Sequence, residues 1–322
     1  MSDLEKSILK TVAFFDIFKH PLTAWEIHKW LYKYPGHLDF SQLLSVLAQS
    51  RVLAEELSLT EGFYSLRGRE FTTWHRKQNN NLADRKFARA LKLVKLYRFI
   101  PYIKMVAVCN SLAYSNARDD SDIDLFIITQ RRKIWLARFF AIILVRLVGF
   151  RPSPQHSRDA YCLSFFVDED HLDISGVSLG KNDIYLAYWV KELMPLYDPD
   201  ALYEKFLQAN HWAQDYLPRS YLNQFVREVK DSGWSRVLAW MVGFISSPPL
   251  PTPWLDGFYR GLQLKIIDSH LKSMVNVDTR VVVNERMLKF HYNDRREHYY
   301  KKWKESVYKL LDKYERSSAT GV

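Results

Sequence analysis

The sequence predicts a multidomain chain of α+β or α/β class. Its expected parts are a small N-terminal module of helices and a hairpin, a central mixed sheet flanked by helices, and a helical C-terminal region. Three observations carry this expectation. Apolar residues recur at helical spacing near both ends of the chain. Between residues 84 and 180 helical and strand patterns alternate. A polar stretch, HRKQNNNLADRK, separates the first module from the second. With 322 residues, 48% of them hydrophobic, the chain can fill more than one core. The expected divisions are residues 1–75, 84–180 and 181–322.

In the first part, Leu4, Ile8, Val12 and Phe15 mark the apolar face of a helix. Thr23 precedes Glu26 by three positions, a capping-box spacing, and opens a second helix through Ile27, Trp30 and Leu31. Asp39 and Gln42 repeat that spacing before a third helix, FSQLLSVLAQSRVL. Leu57 and Leu59, the turn Thr60-Glu61-Gly62 and the run Phe63-Tyr64-Ser65-Leu66 then read as a hairpin. Three helices followed by a hairpin is the pattern of a winged helix. A winged helix that reads DNA offers basic or amide side chains from its third helix. Only Gln42, Gln49 and Arg51 stand there, so the reading favours a structural or protein-docking role over DNA binding.

After the polar linker, Phe87, Leu91, Val94 and Tyr97 fall on one helical stripe. A strand from Ile103 to Cys109, a loop, a strand from Asp122 to Thr129, a helix from Lys133 to Phe150 and a strand from Ala160 to Val167 follow. The apolar run Ile134 to Phe150 approaches membrane-spanning length, but Arg138 and Arg146 interrupt it, so it reads as a core helix. Peripheral membrane contact there, or between Trp234 and Trp254, is the lesser expectation. Beyond Lys181 the pattern is mainly helical, ending in a basic helix with Trp303, Val307, Leu310 and Leu311 on one stripe.

The formal charge of +10 favours polyanionic partners such as nucleotides, nucleic acid or an anionic membrane. Cys109 and Cys162 each sit in an apolar strand-like run, which points to buried thiols in a reducing compartment and excludes a disulfide framework or a zinc-finger spacing. The opening MSDLEKSILK mixes acids with lysines and lacks the apolar core of a secretory signal, so the expected location is the cytoplasm.

The chemistry concentrates in VCNSLAYSNARDDSDIDLFIIT, residues 108–129. Asp122 and Asp124 are two apart at the start of a strand, so their side chains share a face. Ile123 and the run Leu125-Phe126-Ile127-Ile128 hold that strand in the core. Two unpaired carboxylates so close repel each other, and a divalent cation with hard oxygen preference resolves the conflict. Upstream, Asn110-Ser111 ends the preceding strand, where backbone amides and a hydroxyl can meet phosphate oxygens.

These residues resemble the polymerase-β-like nucleotidyltransferase superfamily. Its signature is a strand ending in Gly-Ser or Gly-Gly, a spacer of about ten residues, and Asp-x-Asp followed by an apolar tail. Here ten residues separate Ser111 from Asp122, and the likeness spans roughly residues 84–175. The flanking winged helix and helical C-terminal region are similar to those of bacterial proteins that carry such a domain.

The resemblance implies transfer of a nucleoside monophosphate from a nucleoside triphosphate to a hydroxyl acceptor, with release of pyrophosphate and a requirement for one or two Mg2+ ions. The acceptor class, a small molecule, a protein or a nucleic acid, stays open. It also implies Asp122 and Asp124 as metal ligands, Ser111 at the terminal phosphates and Ser121 assisting. Two positions depart from the family pattern. Asn110 stands where the family has glycine; asparagine tolerates a left-handed backbone, but its side chain occupies room that glycine leaves for phosphate. The third carboxylate is absent from AYCLSFFV, so Asp173, or alternatively Asp159, is the residue expected to supply it. The alternative is a nucleotide-binding regulatory protein with weakened catalysis, with DNA binding through the winged helix.

Overall fold

The computed structural model describes residues 1–147, 158–180, 183–219, 228–246 and 252–319. The chain opens with four helices, α1 (Asp3–Asp16), α2 (Ala24–Lys29), α3 (Phe40–Gln49) and α4 (Arg51–Glu56), followed by the hairpin strands β1 (Leu57–Thr60) and β2 (Phe63–Leu66). The Thr23 capping box forms: Glu26 N–H donates to Thr23 Oγ1 (3.2 Å) and Thr23 N–H to Glu26 Oε2 (2.9 Å). The stretch expected as one third helix is two. Ser50 adopts an extended backbone and its Oγ accepts from Leu53 N–H (3.1 Å), capping α4 and breaking the run. The hairpin turns on Glu61 and Gly62, whose φ angles of 53° and 84° are those of a tight two-residue turn.

The polar linker is not a linker. It lies inside one helix, α5 (Thr72–Tyr97). HRKQNNNLADRK contains neither glycine nor proline, so nothing in it breaks a helix, and its polar side chains find partners on the flanking segments. Arg76 pairs with Glu26 (2.6 Å), and Asn79 Nδ2 donates to Asn116 Oδ1 (2.8 Å).

The expected alternation continues as β3 (Ile103–Val108), the one-turn α6 (Asn110–Ala113), β4 (Ile123–Thr129), α7 (Ile134–Leu147) and β5 (Tyr161–Asp168). Residues 148–150 of the apolar run lie outside the described residues. No described helix is long and apolar enough to cross a membrane.

The C-terminal region, expected to be helical, is helical in α8 (Ile184–Lys191) and then adds β6 (Met194–Tyr197) to the sheet. Four helices follow, α9 (Leu202–Ala209), α10 (Gly233–Ser246), α11 (Thr252–Ile266) and α12 (Ser269–Met274), and then β7 (Val281–Val283), β8 (Met287–Phe290) and α13 (Arg296–Ala319). The strands are short and two of them flank the edges, so they carry little periodic signal of their own; pairing with the sheet defines them.

The result is a mixed sheet of six strands in the order β6-β3-β4-β5-β8-β7, in which β4 and β5 run parallel and the other neighbours antiparallel. Helices cover both faces. Val106, Ile127 and Phe166 pack with Phe87 of α5 and Trp135 of α7 on one side. Phe126, Ile128 and Phe165 pack with Trp189 of α8 and Phe206 of α9 on the other. A third core joins α1 to α8 and α13, where Trp303 Nε1 donates to the Lys10 carbonyl (2.9 Å). The chain's two ends therefore meet, and the start of α13 is held over the sheet.

Candidate functional site

The site begins where β3 ends. Asn110 follows in the left-handed region (φ 55°), a conformation asparagine tolerates, and turns the chain into α6. Its side chain is not left pointing into open space. Its Oδ1 accepts from the Tyr185 hydroxyl (3.2 Å), and its amide is hydrogen-bonded to Asp124.

The loop from 115 to 121 is clamped from behind. Lys86, a wholly buried lysine of α5, donates to the Ser121 carbonyl (2.5 Å) and to Asp159 (2.8 Å). Four acids follow one another here with two different fates. Asp119 and Asp120 are paired with Arg85 (2.8 Å) and Arg118 (2.5 Å). Asp122 and Asp124 have no ion-pair partner among the described residues. Burial raises the pKa of both carboxyls, and for Asp124 burial together with the neighbouring Asp122 pushes it up to about 7.

The parallel neighbour β5 sets Cys162 opposite Asp124. The pairing then slips: Phe126 lies opposite Phe165, so β5 holds one more residue than β4 over this step. Such a bulge changes the phase of the strand. Cys162 and Phe165, three positions apart, consequently both line the cavity above the acids. The donor atoms of Asp122, Asp124 and Cys162 all lie within 4.8 Å of one another. Cys162 Sγ also contacts Ser164 Oγ (3.3 Å), which is hydrogen-bonded to His291 Nε2 (2.6 Å). Burial pushes the His291 pKa down to about 4, so the ring is neutral at pH 7.

The cavity has a volume of about 440 Å³. Carboxylates form its floor, and its upper wall is the segment from Lys289 to Tyr299. Tyr185 and Tyr299 stack there (5.5 Å between centroids). Arg296 reaches Asp183 (2.6 Å) and Asp294 (2.8 Å), and Lys289 reaches Asp294 (3.2 Å). Burial and the adjacent Arg296 push the Lys289 pKa down to about 8. Arg295 lines the same wall, exposed and with no acidic partner among the described residues. Lys289 and Arg296 are matched by Asp294 and Asp183, so the uncompensated positive charge above the anionic floor, among the described residues, is Arg295.

A second cavity of about 240 Å³ shares Asn110, Tyr185 and Tyr299 with the first and is closed by Phe14, Phe15 and Phe18 of the N-terminal module. Ser111 lines this second cavity, on the far side of Asn110 from the acids. Ser121 lines neither; its Oγ donates to the Arg118 carbonyl (2.9 Å).

Asp173 does not join the platform. The eight-residue β5 starts beside Asp124 and carries the chain roughly 25 Å away before Asp173 is reached. The Asp173 carboxylate instead holds Ser175 N–H (2.8 Å) and Oγ (3.0 Å). Asp159 lies at the correct end of the sheet, but Lys86 and Arg89 (3.2 Å) occupy its oxygens. Cys162 and the 289–299 wall were not singled out from the sequence. The run KFHYNDRR, with four basic or imidazole side chains in eight residues, is the signal that marks the wall.

Comparison of this chain with protein-family models, with curated proteins and with solved structures found no match. The functional reading therefore stands on the site itself: a mixed-sheet protein with a carboxylate–carboxylate–thiol cluster under a basic, aromatic wall.

Proposed function

We propose that the protein is a metal-dependent nucleotidyltransferase of the polymerase-β-like kind, with the N-terminal module a winged helix that closes one side of its site. The observation that carries this reading is the pair Asp122 and Asp124, carboxylates without an ion-pair partner among the described residues at the start of β4, flooring a cavity whose opposite wall carries Arg295. The setting of the pair supports it: the strand β3, the Asn110-Ser111 turn and the acids opening β4 follow one another as the superfamily's sequence signature does.

Magnesium suits the two oxygen donors, and the raised pKa values mark charge that lacks a counter-ion. When bound, the ion supplies neutralisation of the triphosphate and polarisation of the reacting phosphate. The chain's own residues do the rest. Asn110 orients the Asp124 carboxylate, Arg295 faces the phosphates, and the Tyr185–Tyr299 stack offers a flat surface for a base. The second cavity, reached past the shared tyrosines, is the place for the acceptor. The decisive experiment incubates pure protein with Mg2+ and each labelled nucleoside triphosphate, with and without cell extract, and follows label transfer and pyrophosphate together. Transfer with stoichiometric pyrophosphate supports the enzyme.

One observation favours a second reading, a nucleotide-binding regulator. No third carboxylate among the described residues joins the platform to serve as a base for the acceptor hydroxyl. Metal-dependent nucleotide binding without pyrophosphate in any extract would select it.

A further inference from the structure

We infer that Cys162 is a third protein ligand of the metal centre, and that this centre accepts a sulfur-tolerant divalent cation such as cobalt or zinc. The inference rests on Asp122 and Asp124 being metal ligands and adds what completes their set.

Three independent features of the fold converge on the Cys162 sulfur. The register of the parallel pair places it directly opposite Asp124, and it lines the same cavity. Its sulfur stands among the same donors that would surround a cation, with the thiol donating to Ser164 Oγ on its outer side. Those donors span no more than 4.8 Å, a separation compatible with shared ligation of one ion. Three protein ligands with an open side towards a cavity is the arrangement of a catalytic rather than a structural centre.

The sulfur also has an outer support. Ser164, two residues on, is anchored by His291 at 2.6 Å and stands 3.3 Å from Sγ. Outer partners of this kind fix ligand orientation. On binding, the S–H bond breaks, its proton passes to solvent, and the sulfur donates its electron pair to the metal. A thiolate is a poor partner for magnesium and a good one for borderline cations, so it alters which ions the site prefers.

The test is titration of the full-length, reduced protein with Co2+. The expected result is a thiolate-to-cobalt charge-transfer band saturating at one equivalent, lost in Cys162→Ser and kept in Cys109→Ser. Zn2+ should also slow alkylation of Cys162 by iodoacetamide, while Mg2+ should not. Ser164→Ala is expected to weaken cobalt binding about tenfold without abolishing the band. Cys162→Asp should lose the band and bind Mg2+ more tightly than the parent; thermal melts of each variant establish that it is folded. Absence of the band, or its survival in folded Cys162→Ser, overturns the inference. Nucleotide binding is read separately by equilibrium dialysis with Mg2+. Nucleotide binding without the cobalt band removes the thiol ligand and leaves the proposed function, whereas the band without nucleotide binding does the reverse.

Discussion

Asp122 and Asp124 are held in place by the backbone of β4 and by the clamp around Lys86, not by partners of their own charge. Their removal should therefore spare the fold and remove the chemistry. Asp122→Ala or Asp124→Ala is expected to lower metal-dependent transfer by about 10³-fold or more, while the fold is retained and metal-free Asp124→Ala is more stable than the parent at neutral pH in urea titrations, because a buried charge is removed. Retained transfer in either variant would end the enzyme reading. The same residues set a pH dependence. A carboxyl whose pKa is higher folded than unfolded binds extra protons in the native state between the two values. Metal-free stability attributable to Asp124 is thus present at low pH and declines as pH rises from 3.8 towards about 7. The difference in melting temperature between the parent and Asp124→Asn should follow that decline, and divalent ions should stabilise the parent more at pH 8 than at pH 5. Asn110→Gly removes the hydrogen bond that helps hold Asp124 ionised. It should raise the Asp124 pKa further and weaken metal binding, measured by calorimetry; unchanged binding would reduce Asn110 to a turn residue.

At the scale of elements, the start of α13 decides whether the cavity has a wall. Arg296 is almost fully buried and bonded to Asp183 before α8, to Asp294 and to the Val177 carbonyl (3.0 Å). Leaving either acid unpaired in that setting costs about 3–5 kcal/mol. Arg296→Met is expected to lower the unfolding free energy by that amount in urea titrations and to expose the Tyr185–Tyr299 stack; a loss below about 1 kcal/mol would mean that the wall is held by apolar packing alone. Element boundaries also show how little local polarity says about structure. α5 runs through Gln78, Asn79, Asn80 and Asn81 because no residue there breaks it, whereas a single serine, Ser50, ends α3.

Across the whole molecule, the site is assembled from segments far apart in the chain: the turn at Asn110, the strands β4 and β5, and the 289–299 wall, with α1 closing the adjoining cavity. On another surface, α10 and α11 expose Trp234 (80%), Trp240 (68%), Trp254 (84%) and Phe258 (66%). The expectation of peripheral membrane contact between Trp234 and Trp254 falls on this face, which also exposes Arg236 and Arg260, and vesicles test it. Tryptophan emission should shift to the blue with anionic vesicles, weakly with neutral ones, and less in Trp240→Ser. No shift with either would exclude lipid as the partner of this face.

Much of the molecule was readable along the chain. The Thr23 cap, the Glu61-Gly62 turn, the alternation leading to β4 and the shared face of Asp122 and Asp124 all arise from neighbours within a few positions, because caps, turns and side-chain periodicity are local properties. Cys162 was different: in AYCLSFFV it is one more apolar-looking strand residue. Parallel pairing with β4 sets it beside the acids. Likewise Asp173 was acidic and downstream but ends up at the far end of β5, and KFHYNDRR gains meaning only when β8 pairs with β5 and α13 returns to α1. Which strands lie side by side is settled by burying both faces of the sheet at once, a balance over the entire chain that no short stretch contains.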